Sequence, residues 1–273
     1  MSRRGGATHE WHALHLAGAA VAAAVRLVPR RWRFNVALVL ARAAQPFLRN
    51  TEACRRQLRK NIDGIAEIAL YMVTNALTVH GTEFVPRLAI EGYDEFVSLC
   101  RKGGGVLLVQ PHAVLTQLPF RAMHDDGLEP IGMTTIPHIR YAGTRISADA
   151  LAPSRTFLVT VRNRLREGRL VSAMIDRAEH SGDRTVEFAT ANGPLIVSTA
   201  LLRLAVRCGA RVAFTEVHME GWRVAGSIVI ATSDTVDGLT REFADFVRSR
   251  IAARFGSASK AIGAPAQLEG VER

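Results

Sequence analysis

The stretch Arg101-Lys-Gly-Gly-Gly-Val-Leu-Leu-Val-Gln-Pro-His-Ala-Val-Leu-Thr-Gln117 decides how the rest of the chain is read. Three glycines lead into four consecutive apolar residues, Val106 to Val109, which read as a strand buried on both faces. Pro111 ends that strand and His112 follows it. In an open α/β sheet, ligands and catalytic groups gather beyond the carboxyl ends of the strands. A neutral histidine there can take a proton near pH 7. The stretch alone is equally compatible with a loop histidine that has no chemistry.

Outward from this strand, apolar runs alternate with helix-length amphipathic segments. Toward the N-terminus, Pro86 to Ile90 reads as a strand and Tyr93 to Cys100 as a helix. Toward the C-terminus, a helix is expected from Leu115 to Asp126, placing Gln117 in its first turn within reach of His112. Strands follow at Glu129 to Thr134, Leu170 to Ile175, Thr185 to Phe188 and Arg211 to Val217, and Trp222 to Ala231 is β-rich. Helices are expected at Thr156 to Arg166, Ser198 to Cys208 and Leu239 to Phe255, and Asn192-Gly193-Pro194 reads as a turn. The alternation predicts an α/β fold, a central mostly parallel sheet flanked by helices, with an N-terminal helical extension. The expected division is residues 1–50 as basic, amphipathic helices, 51–256 as the α/β domain and 257–273 as a loose tail.

Three spaced segments carry a resemblance. They are Gly-Val-Leu-Leu-Val with the following His112, then Val171-Ser-Ala-Met-Ile-Asp176, then Leu204-Ala-Val-Arg-Cys-Gly-Ala210. Together they resemble the lipid A biosynthesis (lauroyl/myristoyl) acyltransferase family, within the wider glycerolipid acyltransferases. The resemblance runs from about Arg56 to Phe214 and is one of pattern. It implies a glycerolipid-acyltransferase-like fold and transfer of a fatty acyl group from an acyl carrier protein or coenzyme A thioester. The acceptor would be a hydroxyl or amine of a lipid-like molecule, and no metal or organic cofactor is implied.

In that family the motif is His-x-x-Asn-Trp-Glu, and its carboxylate orients the histidine. Here it reads His112-Ala-Val-Leu-Thr-Gln117, so the partner position carries no charge. A neutral hydrogen bond is about half as strong as a charge-assisted one. Three readings stay open: a slower acyltransferase, one that uses another carboxylate, or a catalytically inactive homologue that binds lipid or a partner protein. The resemblance implies His112 as general base with Gln117 orienting it, and Asp176 and Arg177 in the position of the family's Asp-Gln pair. Arg140 and Arg145, in the irregular interval Thr135 to Pro153, are candidates to hold an oxyanion or a phosphate. His138 and His180 are the next candidates for the base.

Charge is unevenly placed. Of 273 residues, 35 are Lys or Arg and 25 are Asp or Glu, for a net charge of +10. Residues 1–60 hold 12 basic and 2 acidic groups, so that segment carries the whole excess. Such a patch attracts lipid headgroups, an acidic carrier protein or nucleic acid. The uncharged run Ala13 to Val25, followed by Arg26, Arg30, Arg31, Trp32 and Arg33, argues for an anionic membrane surface over nucleic acid. Its thirteen residues fall short of the roughly 20 needed to span a bilayer, and the arginines after it count against a cleaved signal peptide. The expected location is therefore peripheral, on the cytoplasmic face of the inner membrane. Cys54, Cys100 and Cys208 have no metal-ligand spacing, and the chain has no P-loop, dinucleotide-binding fingerprint or Gly-x-Ser-x-Gly elbow.

Overall fold

The computed structural model describes residues 18–49, 51, 54, 64–132, 140–141, 144–145, 156–176, 185–190 and 193–255. Its centre is a six-stranded sheet with a mostly parallel arrangement, flanked by helices. The strands are β1 (Leu88–Glu91), β2 (Val106–Gln110), β3 (Ile131–Gly132), β6 (Leu170–Met174), β9 (Arg211–Glu220) and β10 (Arg223–Ile230). Their order is β1-β10-β9-β2-β6-β3. β9, β2, β6 and β3 run parallel, while β10 turns back against β9 and β1 runs with β10. Two hairpins stand apart: β4 (Arg140–Tyr141) with β5 (Thr144–Arg145), and β7 (Thr185–Thr190) with β8 (Gly193–Ser198).

Every side chain of β2 is buried, as a strand with both faces covered requires. Leu107 and Val109 face one cluster with Val171, Ala173 and Phe214. Over them lie the helices α6 (Phe157–Arg166), α7 (Ala200–Cys208) and α8 (Val236–Phe255), whose Val161, Leu202 and Phe243 are buried there. Val106 and Leu108 face the opposite cluster with Phe96 of α4 (Tyr93–Arg101) and Met123 of α5 (Pro119–Asp125). The glycines ahead of β2 are needed at one point. Gly105 has φ +61°, and a Cβ there would stand 2.1 Å from the Leu165 carbonyl oxygen.

The N-terminal helices belong to the same body. They are α1 (18–26), α2 (Arg30–Leu48) and α3 (Ile65–Val79). Ala22, Val25, Phe34, Ala37 and Leu70 are buried in one cluster with Val114, Leu115 and Leu118, which directly follow His112. Val217 of β9 joins this cluster while Ala213 belongs to the α4–α5 side. Side chains alternate along a strand, so residues four apart share a face. The N-terminal helices thus cover the same side of the sheet as α4 and α5, toward the carboxyl end of β9. Buried Glu67 ties α3 to that end, one oxygen accepting from the Met219 N–H at 3.0 Å and the other from the Gly64 N–H at 3.0 Å. Part of the Ala13 to Val25 run lies outside the described residues, and the part inside uses Ala22 and Val25 for the core.

Two expectations are corrected. The helix after His112 begins at Pro119, where a residue without an N–H suits the first turn, so Ala113 to Leu118 form successive turns. The Thr116 hydroxyl donates to the Ala113 carbonyl at 2.9 Å and holds those turns. Gly193-Pro194, read as a turn, opens β8, which pairs along its whole length with β7. Asn192 of the expected turn and the tail at 257–273 lie outside the described residues.

Candidate active site

The β2–β6 register builds the site. Its pairs run from Val106 opposite Leu170 to Gln110 opposite Met174, a constant sequence offset. Extended by two residues, the same offset sets His112 beside Asp176, 64 positions apart. Both therefore emerge from the carboxyl ends of adjacent parallel strands. Below them, buried Gln110 donates to the Ser172 hydroxyl at 3.2 Å, a polar link across the same two strands.

Asp176 spends both carboxylate oxygens on one residue. Oδ2 accepts from the His112 backbone N–H at 2.7 Å, and Oδ1 lies 2.5 Å from His112 Nδ1. This two-point hold fixes both where the histidine leaves the strand and how its ring is turned. An ionised carboxylate can only accept, so the proton belongs on Nδ1 and the Nε2 lone pair is left for chemistry. The Asp176 side chain is 7% exposed and that of His112 is 26% exposed, so the acid is enclosed while the ring stays accessible. Among the described residues, Nε2 has no hydrogen-bond partner.

Gln117 does not orient His112. It is exposed, it makes no hydrogen bond to the ring, and the turns of Ala113 to Leu118 carry it away from the position a helical first turn would give. It lines instead a narrow cleft, with room for about 40 Å³, between α3 and the turns after His112, together with Tyr71, Asn75, Thr78 and Arg121. Apolar Phe84, Val114, Leu115 and Leu118 form the rest of its wall. Arg140 and Arg145 are cross-strand partners in the β4–β5 hairpin, and β4 runs beside α3. Arg177, His138 and His180 lie outside the described residues.

Thiol chemistry has little support. Burial pushes the Cys100 thiol up to about 11 and raises that of Cys54 as well, so both are held protonated and poorly nucleophilic. Among the described residues, no group of three or more His, Cys, Asp or Glu could hold a metal ion. A second histidine–carboxylate contact exists on β9, where His218 Nδ1 stands 3.0 Å from Oε1 of buried Glu216.

No protein-family model and no curated protein matches this chain. Sequence reading put His112 and Asp176 at the same sheet edge, as they are found, but it gave the orienting role to the nearer Gln117. Both residues stand two positions beyond Gln110 and Met174, the last paired residues of their strands, a match that the apolar runs ending at Val109 and Ile175 do not show.

Proposed function

We propose that this protein is an acyltransferase that moves a fatty acyl group from an acyl thioester, on acyl carrier protein or coenzyme A, to a hydroxyl or amine of a lipid-like acceptor. The observation that carries the reading is the His112–Asp176 pair at the carboxyl ends of two adjacent parallel strands. Asp176 holds the Nδ1 proton, and Nε2 removes the proton of the acceptor hydroxyl as its oxygen attacks the thioester carbonyl. The tetrahedral intermediate collapses by breaking the C–S bond, and the leaving thiolate takes the proton back from Nε2. Its oxyanion needs positioned donors, a role we give to backbone N–H groups near His112 or to Arg140 or Arg145. The narrow cleft beside Gln117 sets polar Asn75, Thr78 and Arg121 next to apolar Phe84, Val114 and Leu118, a surface that suits contact with an amphiphilic molecule.

The binding-only reading arose from the missing carboxylate at position 117. Asp176 supplies a carboxylate to the same imidazole, which removes the reason to prefer that reading. The basic N-terminal segment supports attraction to an anionic membrane or an acidic carrier protein, and we retain a peripheral location on the inner membrane as part of the proposal. No helix among the described residues is long and apolar enough to cross a membrane.

Incubation of the purified protein with acyl carrier protein and coenzyme A thioesters plus a lipid extract, read by mass spectrometry, tests the reading. Acylated lipid that depends on His112 is expected. Turnover retained in His112→Ala would overturn it.

A further inference from the structure

Helix α2 has two apolar sides, and the core uses only one. Phe34, Ala37, Leu38 and Ala41 are buried. On the opposite side, Trp32, Val39, Ala43 and Phe47 fall within about 80° of one another at ~100° per residue. Trp32, Val39 and Phe47 are 47%, 55% and 79% exposed, and nearby Leu27 is exposed as well. At ~1.5 Å per residue the stripe from Trp32 to Phe47 is about 22 Å long. Scattered exposed apolar residues need no explanation, but a continuous stripe on a helix does.

Charge indicates what covers it. Arg31, Arg42 and Arg49 form a column within about 20° of one another along one flank of the stripe. The helix has no acidic residue. Neither Arg31 nor Arg49 has an ion pair among the described residues. Arg42 donates to the Gly221 carbonyl at 2.7 Å and lies over the Trp222 ring at 4.5 Å, tying the helix to the tip of the β9–β10 hairpin. That tip adds Trp222, 59% exposed, to the same rim. An apolar stripe bordered by arginines and tryptophans is the composition of an interfacial surface.

We infer that the outward face of α2, with Trp222, docks on an anionic lipid surface and turns the carboxyl end of the sheet toward it. β9 runs parallel to β2, with Val109 opposite Phe214, so His112 falls level with Val217. Three residues further on, about 10 Å at ~3.3 Å per residue, β9 ends at Glu220 beside Trp222. The docking face therefore lies at the same end of the sheet as the His112–Asp176 pair. A lipid-borne substrate would reach the site from the surface to which the protein is bound. This orientation draws its purpose from the acyl-transfer reading, whereas docking itself stands without it.

The test uses the full chain with phosphatidylglycerol and phosphatidylcholine vesicles, read by flotation, with gel filtration alongside. Binding to the anionic vesicles only, weakened by salt, is expected. Val39→Asp with Phe47→Asp should weaken it at least about tenfold, because both side chains would bury apolar area in the lipid interface. Arg49→Gln should weaken it about fivefold. Both positions of the double variant are exposed, so its melting temperature should match wild type. Unchanged binding of that variant would mean that the rest of the basic N-terminus carries the attraction, and would overturn the assignment. A dimer that the same substitutions dissolve, without vesicle binding, would make a second copy the occupant and overturn it too. With Trp11→Phe and Trp32→Phe, Trp222 is the sole tryptophan, and brominated lipid should quench it. Absence of quenching would reject the orientation. His112→Ala should bind vesicles as wild type does, so failure of the chemistry and failure of docking are read separately.

Discussion

Two histidine–carboxylate pairs are seen among the described residues, and they differ in how they are made. His218 and Glu216 lie two apart on β9, so alternation puts them on one face of one strand without help from the fold. Their distances are 3.0 and 3.2 Å from Nδ1 to the two carboxylate oxygens. His112 and Asp176 come from different strands, meet at 2.5 Å, and share a second bond at the histidine backbone. The first pair lies on the side of a strand, by an open depression also lined by Glu91, Glu220 and Arg223. The second stands beyond two parallel strand ends, and the turns that follow His112 lead on to a narrow cleft at Val114, Leu115 and Gln117. A histidine next to a carboxylate is common chemistry; a histidine held at both its ring and its backbone, with the other ring nitrogen open beyond two strand ends, is what a general base needs.

The contrast is broken most severely at His112. His112→Ala should lower acyl transfer by about 100- to 10,000-fold, the range for a lost general base. His218→Ala should stay within about threefold in the same mass-spectrometric assay. Comparable losses in the two variants would erase the distinction between the pairs.

Asp176→Asn comes next. A charged hydrogen bond contributes about 1.5–3 kcal/mol, so its neutral replacement should slow transfer by about ten- to a hundredfold. Circular dichroism should report an intact fold, since the amide keeps the shape of the carboxylate. An unaffected rate would leave His112 without a working partner.

Glu216→Gln should act on stability instead. Its side chain is fully buried, and disturbing such a bonded acid costs about 1–3 kcal/mol. A lower urea midpoint with an ordinary rate per folded molecule is the expected pattern, measured by denaturation alongside turnover. A large rate loss at unchanged stability would move Glu216 into the chemistry.

The smallest effect is expected at Gln117. Because it is exposed and does not touch the ring, Gln117→Glu should leave kcat within about threefold, like most exposed charge changes. A tenfold gain in kcat would restore Gln117 as the partner of His112 and demote Asp176.

The sequence by itself determined the strands at Val106 and Leu170, the α4 and α6 helices, and His112 at a strand end. Those features follow from local runs, periodicity and turn residues, which act over a few positions. It also revealed that the positive charge is gathered before residue 61. Only the tertiary structure decided that β2 and β6 are neighbours, because strand order depends on which apolar faces helices far apart in the chain can cover. Gln117 is five residues from His112 and Asp176 is 64, so reading along the chain favours the near one. Parallel pairing reverses that choice, since it turns equal distances from two strand ends into contact. The same holds for α2, whose sequence shows apolar residues around much of its circumference. Packing against α3 and Phe84 consumed one side and left Trp32, Val39 and Phe47 to the outside, a division that no periodicity along the helix could make.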